Sequence, residues 1–157
     1  MSVQDIFIPK ESNNQKSVDD FHWDYGQGPT YAERTFFRLA LFGPNKDWSF
    51  GGTIGSVEEE NVFSYQFMVP YVDDTVLEQT YKLGESKDFH AKFMQSIGAP
   101  PGFTGFRLVD ADDAELTIRL DPKEGTIQGD FNATYKFSRL KPIGTFKLKK
   151  DEPNNIE

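Results

Sequence analysis

The strongest constraint on the fold is a strict alternation of residue types near the C-terminus. From 127 to 137 every second residue is apolar, aromatic or glycine, and every residue between them is polar. Side chains on a β-strand point to opposite faces in turn, so this period of two separates an apolar row from a polar row. The pattern predicts one long strand with one solvated face. Typical strands run about five to six residues, so this length indicates a strongly curved sheet.

The composition also favours an all-β domain. The chain has 157 residues, which suits one domain with a single core. Its 15 Phe, 6 Tyr and 2 Trp place much of the core volume in aromatic rings, which favour β-structure. We expect a single domain over residues 17–150, with a flexible polar lead-in over 1–16 and a flexible tail over 151–157.

Turn-forming residues recur about every ten positions, which is the spacing of an all-β fold. The segment 35–42 carries apolar residues on both faces, so it is either a strand buried on both sides or a helix, and its three Phe favour the strand. Besides the long strand, we predict strands at 21–25, 35–42, 48–54, 61–69, 75–83, 105–109, 115–120 and 144–150.

One short helix is predicted over residues 87–97. Ser86 is a suitable N-cap, Phe89 and Phe93 recur at helical spacing, and a glycine and a proline follow the segment. The alternative is a strand that turns these two phenylalanines and Ala91 toward the core.

The last four predicted strands, from 105 to 150, are joined by short turns and indicate a meander. Their arrangement resembles the calycin or lipocalin style of barrel, in which about eight antiparallel strands enclose room for one small ligand. The predicted fold is therefore a single antiparallel, calycin-like β-barrel or a coiled β-sandwich. It would have about eight to ten strands, as such architectures do, and the one short helix.

Charge and cysteine content exclude several classes of function. The chain has 25 acidic and 17 basic residues, a net charge of −8, and a field of this sign repels phosphate backbones and anionic lipids. We therefore expect neither nucleic acid nor membrane as a partner. Cysteine is absent, which removes thiolate chemistry and disulfides. No basic stretch followed by an apolar one begins the chain, so we expect a soluble, cytoplasmic protein.

Known catalytic and phosphate-binding motifs are missing from the sequence, and no cofactor or metal is expected. His22 lies between Asp20 and Asp24, a pattern that could ligate a metal or act as a general base. The polar face of a strand explains the same pattern. The acidic run over 110–113 is interpreted as a hairpin turn rather than a cation site.

The leading functional hypothesis is a non-enzymatic binding module that holds a small apolar ligand in an aromatic-lined interior. One alternative is an acidic protein-interaction domain, such as an inhibitor or immunity-type partner of a basic protein. A third hypothesis is a small barrel isomerase or hydrolase that uses His22. The aromatic side chains predicted to bind the ligand, which in such a domain could also be simple core residues, are Trp23, Tyr25, Trp48, Phe50, Tyr65 and Tyr135.

Overall fold

A computed structural model describes residues 2–9 and 19–152 of the chain. Within these residues the protein consists of twelve β-strands, and no helix is present. The strands exceed the predicted number of about eight to ten because those at Val3–Pro9 and Pro29–Tyr31 are not predicted, and the predicted helix is a strand. The strands are β1 (Val3–Pro9), β2 (Asp20–Asp24), β3 (Pro29–Tyr31), β4 (Arg34–Phe42), β5 (Asn45–Ile54), β6 (Phe63–Pro70), β7 (Leu77–Lys82), β8 (His90–Ile97), β9 (Phe103–Asp110), β10 (Asp113–Asp121), β11 (Thr126–Thr134) and β12 (Ile143–Lys149).

The strands form two antiparallel sheets of six strands each. Sheet A has the order β1-β9-β8-β6-β5-β4, and sheet B has the order β3-β2-β12-β11-β10-β7. Apolar residues on the inner faces of both sheets pack against one another, whereas the outer face of sheet B is polar. The architecture is therefore sandwich-like, as one of the two predicted fold classes requires.

The chain passes from one sheet to the other at two corners. Ala32 donates its backbone N–H to β2 of sheet B, and the next residue, Glu33, donates to β5 of sheet A. Ala111 likewise donates to β8, and Asp112 donates to β11. The two sheets nevertheless do not close into one hydrogen-bonded ring, so the predicted calycin-like barrel is not the observed form.

The predicted helix over 87–97 is wrong, because most of this segment forms β8. Phe89, Ala91 and Phe93 are all buried, and β8 is hydrogen-bonded on both sides, to β6 and to β9. Ser86 caps no helix. Its hydroxyl instead accepts the backbone N–H of Lys82 within the turn before the strand.

The long strand ends earlier than its alternating sequence pattern predicts. β11 ends at Thr134, and Tyr135 then forms an isolated bridge with Leu140. Arg139 has a φ of 59°, which belongs to a tight turn. Phe137 lies in this turn and is 44 % exposed, so the last part of the pattern does not reach the core.

Three further expectations need correction at the sheet corners and edges. The acidic run over 110–113 is not a hairpin turn, because β9 lies in sheet A and β10 lies in sheet B. The predicted four-strand meander is therefore reduced to β10, β11 and β12. β4 is the edge strand of sheet A and is not buried on both sides. The other predicted strands are found with shifted ends.

The terminal segments are only partly described. β1 lies inside the predicted lead-in over 1–16 and is hydrogen-bonded along its length to β9. Residues 1 and 10–16 of that segment, and residues 153–157 of the predicted tail, lie outside the described residues.

Stacked aromatic rings fill the centre of the sandwich. Phe21 of β2 lies between Phe131 of β11 and Phe146 of β12, with ring centroids 5.6 Å and 5.7 Å away. These rings are fully or almost fully buried, and each contributes roughly 1.5–3 kcal/mol of transfer free energy. Gly52, on β5 of the facing sheet, leaves room for Phe21, since a Cβ atom at this position would lie 2.5 Å from the Phe21 ring.

Candidate functional site

Four of the six aromatic residues predicted to bind a ligand meet in one part of the interior. Trp23 projects from β2, Tyr65 from β6, and Tyr135 follows β11. The Tyr65 ring centroid lies 5.0 Å from that of Trp23 and 5.8 Å from that of Tyr135. Tyr25, one residue beyond β2, joins them through its hydroxyl. We call these four side chains the tyrosine cluster.

The strand pattern explains how each ring reaches the cluster. Tyr65 lies on the inward row of β6, between Phe63 and Phe67. Tyr135 keeps the inward direction of β11 after the strand ends, because its backbone N–H donates to the carbonyl of Leu140 at 2.8 Å. Trp23 follows the same period-two rule on β2.

The hydroxyls of the cluster differ in their partners. The Oη atoms of Tyr25 and Tyr65 are 2.7 Å apart, and either can donate the hydrogen bond. Tyr25 is 45 % exposed, whereas Tyr65 and Tyr135 are completely buried. The Oη atom of Tyr135 has no hydrogen-bond partner among residues 2–9 and 19–152. A buried polar group without a partner costs about 1–3 kcal/mol. The hydroxyls of Thr104 and Ser138 are likewise buried without a partner in the described part of the chain.

Burial keeps the phenols of the cluster uncharged. It raises the pKa of Tyr65 far above its usual range, and the hydrogen bond with Tyr25 raises it further. Burial also raises the pKa of Tyr135, and the negative charge of Asp110 raises it further. The pKa of Tyr25 is raised as well, mainly by burial. All three hydroxyls are therefore neutral groups that can both donate and accept hydrogen bonds.

Trp48 and Phe50, the other two predicted ligand-binding residues, do not reach the cluster. Both lie on the inward row of β5. The Trp48 ring packs against Phe37, with centroids 5.4 Å apart, and the Phe50 ring packs against Phe146 at 5.3 Å. The structure therefore places them in the central core, apart from the four that converge.

The interior around the cluster is occupied by the protein's own rings. Phe63 lies 5.0 Å from Tyr65, and Phe93 lies 5.0 Å from Tyr135, both measured between centroids. Tyr65 is also 6.2 Å from Phe131. A ligand in this part of the interior must therefore take a place that a side chain now fills.

A second group of functional side chains lies on the outer face of sheet B. One residue from each of the six strands contributes to a continuous row of polar and aromatic side chains. We call it the polar row, and in register order it comprises Tyr31, His22, Thr145, Asp130, Thr117 and Thr80. Sequence reasoning identified His22 but missed the rest, because the row depends on the pairing of strands that are far apart in the chain.

His22 is held by hydrogen bonds on both ring nitrogens. Nδ1 lies 2.9 Å from a carboxylate oxygen of Asp20, and Nε2 lies 2.8 Å from the hydroxyl of Thr145. Asp24, the other predicted partner, instead accepts the backbone N–H groups of Gly26 and Gly28. Hydroxyl, imidazole and carboxylate thus stand in the order used for nucleophilic catalysis, although the same bonds also serve to fix the imidazole on the sheet.

A wide depression on the same face overlaps the polar row at Thr80, Thr117 and Asp130. It spans four strands, from β7 across β10 and β11 to β12. Its outward-facing polar side chains are Glu78, Thr80, Thr117, Arg119, Gln128, Asp130 and Lys147. The face therefore offers both hydrogen-bond donors and acceptors in a shallow, open site.

Comparison with known proteins gives no relatives: no family model, no curated protein and no solved structure matches the chain. Within the described parts of the chain, no helix is long and apolar enough to span a membrane.

Proposed function

We propose that this protein is a non-enzymatic binding module that holds a small molecule at the tyrosine cluster. The observation that carries the proposal is the contact between the half-exposed Tyr25 and the buried Tyr65. The position beside Tyr65 already holds one phenol ring, that of Tyr25, so it has the size and polarity for an apolar ring with one hydroxyl. A phenolic ligand that displaced Tyr25 would form the same hydrogen bond with Tyr65 and pack beside Trp23.

Tyr25 occupies a position from which its side chain can leave. It follows the last residue of β2 and is half-exposed. Gly26 and Gly28 have φ angles of 103° and 116°, which glycine adopts without the strain that other residues meet there. The hydrogen bond that would break is worth only about 1 kcal/mol, so a small ligand can compete for the position.

The chemistry of the cluster favours a neutral ligand. Tyr65 and Tyr135 are uncharged donors in a water-poor environment, and the Tyr135 hydroxyl can supply a further hydrogen bond that no group among the described residues takes up. The negative charge of Asp110 acts on Tyr135 and would oppose an anionic group at this position. We therefore expect a small, uncharged aromatic molecule with one hydroxyl.

The first test is native mass spectrometry of the protein from its own host, compared with the denatured mass. We then measure p-cresol binding by calorimetry to the wild type and to Tyr25→Ala, which empties the position. The variant should bind p-cresol about tenfold more tightly, since about 1.4 kcal/mol of displacement cost is removed. Toluene, which lacks the hydroxyl, is the matched control ligand and should bind more weakly.

Two results would overturn the proposal. One is a bare native mass together with no p-cresol binding to either protein. The other is equal binding of toluene and p-cresol, because the hydrogen bond to Tyr65 would then have no role.

A second candidate function is an acidic domain that binds a basic protein, and the net charge of −8 favours it. Association driven by such a charge is expected to weaken steeply as salt is added. Capture of cationic proteins on the immobilised chain, followed by elution with a salt gradient, tests this function separately from p-cresol binding.

A further inference from the structure

We infer that the outer face of sheet B is a second binding site, which takes a neutral, hydroxyl-rich oligosaccharide. The site combines the polar row with the depression that overlaps it. It lies on the opposite side of sheet B from the tyrosine cluster, so it does not depend on the function proposed above.

The shape of the face suits an extended ligand. Neighbouring strands lie about 4.8 Å apart, so the six strands of the polar row span roughly 24 Å. Interior strands of a sheet have their backbone groups paired with each other, so a ligand on this face must bond to side chains. The row and the depression provide them as hydroxyl, carboxylate, amide and guanidinium groups. Such closely spaced donors and acceptors match the hydroxyls of several successive sugar units.

The charged side chains that line the depression balance in number, with Glu78 and Asp130 acidic and Arg119 and Lys147 basic. Arg119 lies 3.5 Å from Glu78 on the neighbouring strand, and Lys82 lies 3.8 Å from Glu115. The acidic surplus of the chain is therefore not concentrated here. A face with paired charges attracts neither a cationic protein nor an anionic polymer strongly, which favours a neutral polar ligand.

An aromatic platform stands at one end of the row. Tyr31 is 60 % exposed, and its ring centroid lies 4.8 Å from that of His22. Because Asp20 and Thr145 hold the imidazole on both sides, the Tyr31 ring rests on a fixed support. An exposed, fixed aromatic ring can pack against the C–H face of a sugar at little cost in side-chain entropy.

The test is a titration of the ¹⁵N-labelled full chain with neutral, soluble oligosaccharides followed by NMR. The probes are cellohexaose, xylohexaose, mannohexaose, laminarihexaose and chitohexaose, each at millimolar concentration. At least one should shift the amide signals of β7, β10, β11 and β12. Gln128→Ala and Asp130→Ala should weaken that binding by about tenfold or more, the size of one or two lost hydrogen bonds.

The aromatic platform has its own pair of variants. Tyr31→Ala should weaken binding by a similar factor, whereas Tyr31→Phe keeps the ring and should bind as the wild type does. Glu124→Ala, in the exposed turn after β10, is the control for a surface substitution and should change nothing. The chemical shifts of each variant show whether it has folded.

The inference is overturned if none of the five oligosaccharides shifts the signals of this face, or if the shifts map elsewhere. Salt-dependent binding of a basic protein to the same face would also contradict it, because it would identify a charged partner. These outcomes leave the p-cresol result at the tyrosine cluster unaffected.

Discussion

The hydroxyl of Tyr25 lies 2.7 Å from the hydroxyl of Tyr65 and joins a half-exposed ring to a fully buried one. The buried hydroxyl of Tyr65 therefore has a hydrogen-bond partner. The hydroxyl of Tyr135 is equally buried but has no partner in the described part of the chain. The two phenols provide opposite tests of the same physical rule, because one has a hydrogen bond to lose and the other has none.

Tyr25→Phe is expected to destabilise the protein by about 1–3 kcal/mol, because it leaves the buried Tyr65 hydroxyl without a partner. Urea denaturation followed by fluorescence measures the change. Tyr31→Phe removes a hydroxyl from another exposed tyrosine and is the control, with an expected change within about 0.5 kcal/mol. Equal stabilities of the two variants would mean that the bond between Tyr25 and Tyr65 contributes nothing.

Tyr135→Phe is expected to leave the stability unchanged or to raise it by about 1 kcal/mol, since it removes a buried hydroxyl that has no partner. The same urea experiment measures it. A loss of more than about 1 kcal/mol would show that this hydroxyl is hydrogen-bonded in solution, for example to a buried water molecule.

The strand content of the fold could be predicted from the sequence because it depends on local alternation. In β10, residues from Ala114 to Leu120 alternate between buried and exposed as the period-two pattern requires. The segment 87–97 was misassigned for a related reason. Phe89 and Phe93 fit both a four-residue and a two-residue period, and only the pairing of β8 with β6 and β9 decides between them.

The candidate sites could be predicted only in part, because they depend on contacts between distant segments. Trp23 and Tyr65 were identified as inward aromatic residues, but nothing local indicates that their rings meet while Trp48 packs elsewhere. The polar row could not be predicted for the same reason. Thr145 lies 123 positions from His22 in the chain, and neither residue alone predicts the register that brings them together.

Asp151 is expected to make stability depend on pH. Its pKa is raised by burial, and its Oδ1 atom has no hydrogen-bond partner within the described residues. Because the folded-state pKa lies above the unfolded value of about 3.9, the contribution of Asp151 to the free energy of unfolding is fully present at pH values below the unfolded pKa. It is lost as the pH rises through the raised folded-state pKa. Asp151→Asn should therefore be more stable than the wild type near neutral pH.

Urea denaturation of wild type and Asp151→Asn between about pH 3 and pH 7 measures this dependence. The stability difference should be small at the acidic end and should grow as the pH rises. Glu124→Gln removes one negative charge from an exposed turn and is the control for net charge. A difference that stayed constant with pH, or grew toward acid, would contradict the raised pKa.

Gly144 allows the packing between β12, β2 and β11 to be tested with one methyl group. A Cβ atom at this position would lie 2.4 Å from the Phe131 ring and 2.5 Å from the carbonyl oxygen of His22. Gly144→Ala should therefore destabilise the protein by about 1–3 kcal/mol, as overpacking does.

Gly98 is the matched control, because a Cβ atom there meets no atom within 4 Å. Gly98→Ala should be neutral or stabilising by up to about 1 kcal/mol, since it restricts only the unfolded chain. If Gly144→Ala proved as stable as Gly98→Ala, the Phe131 ring could not lie against β12, and the central stack that includes Phe21 would need a different arrangement.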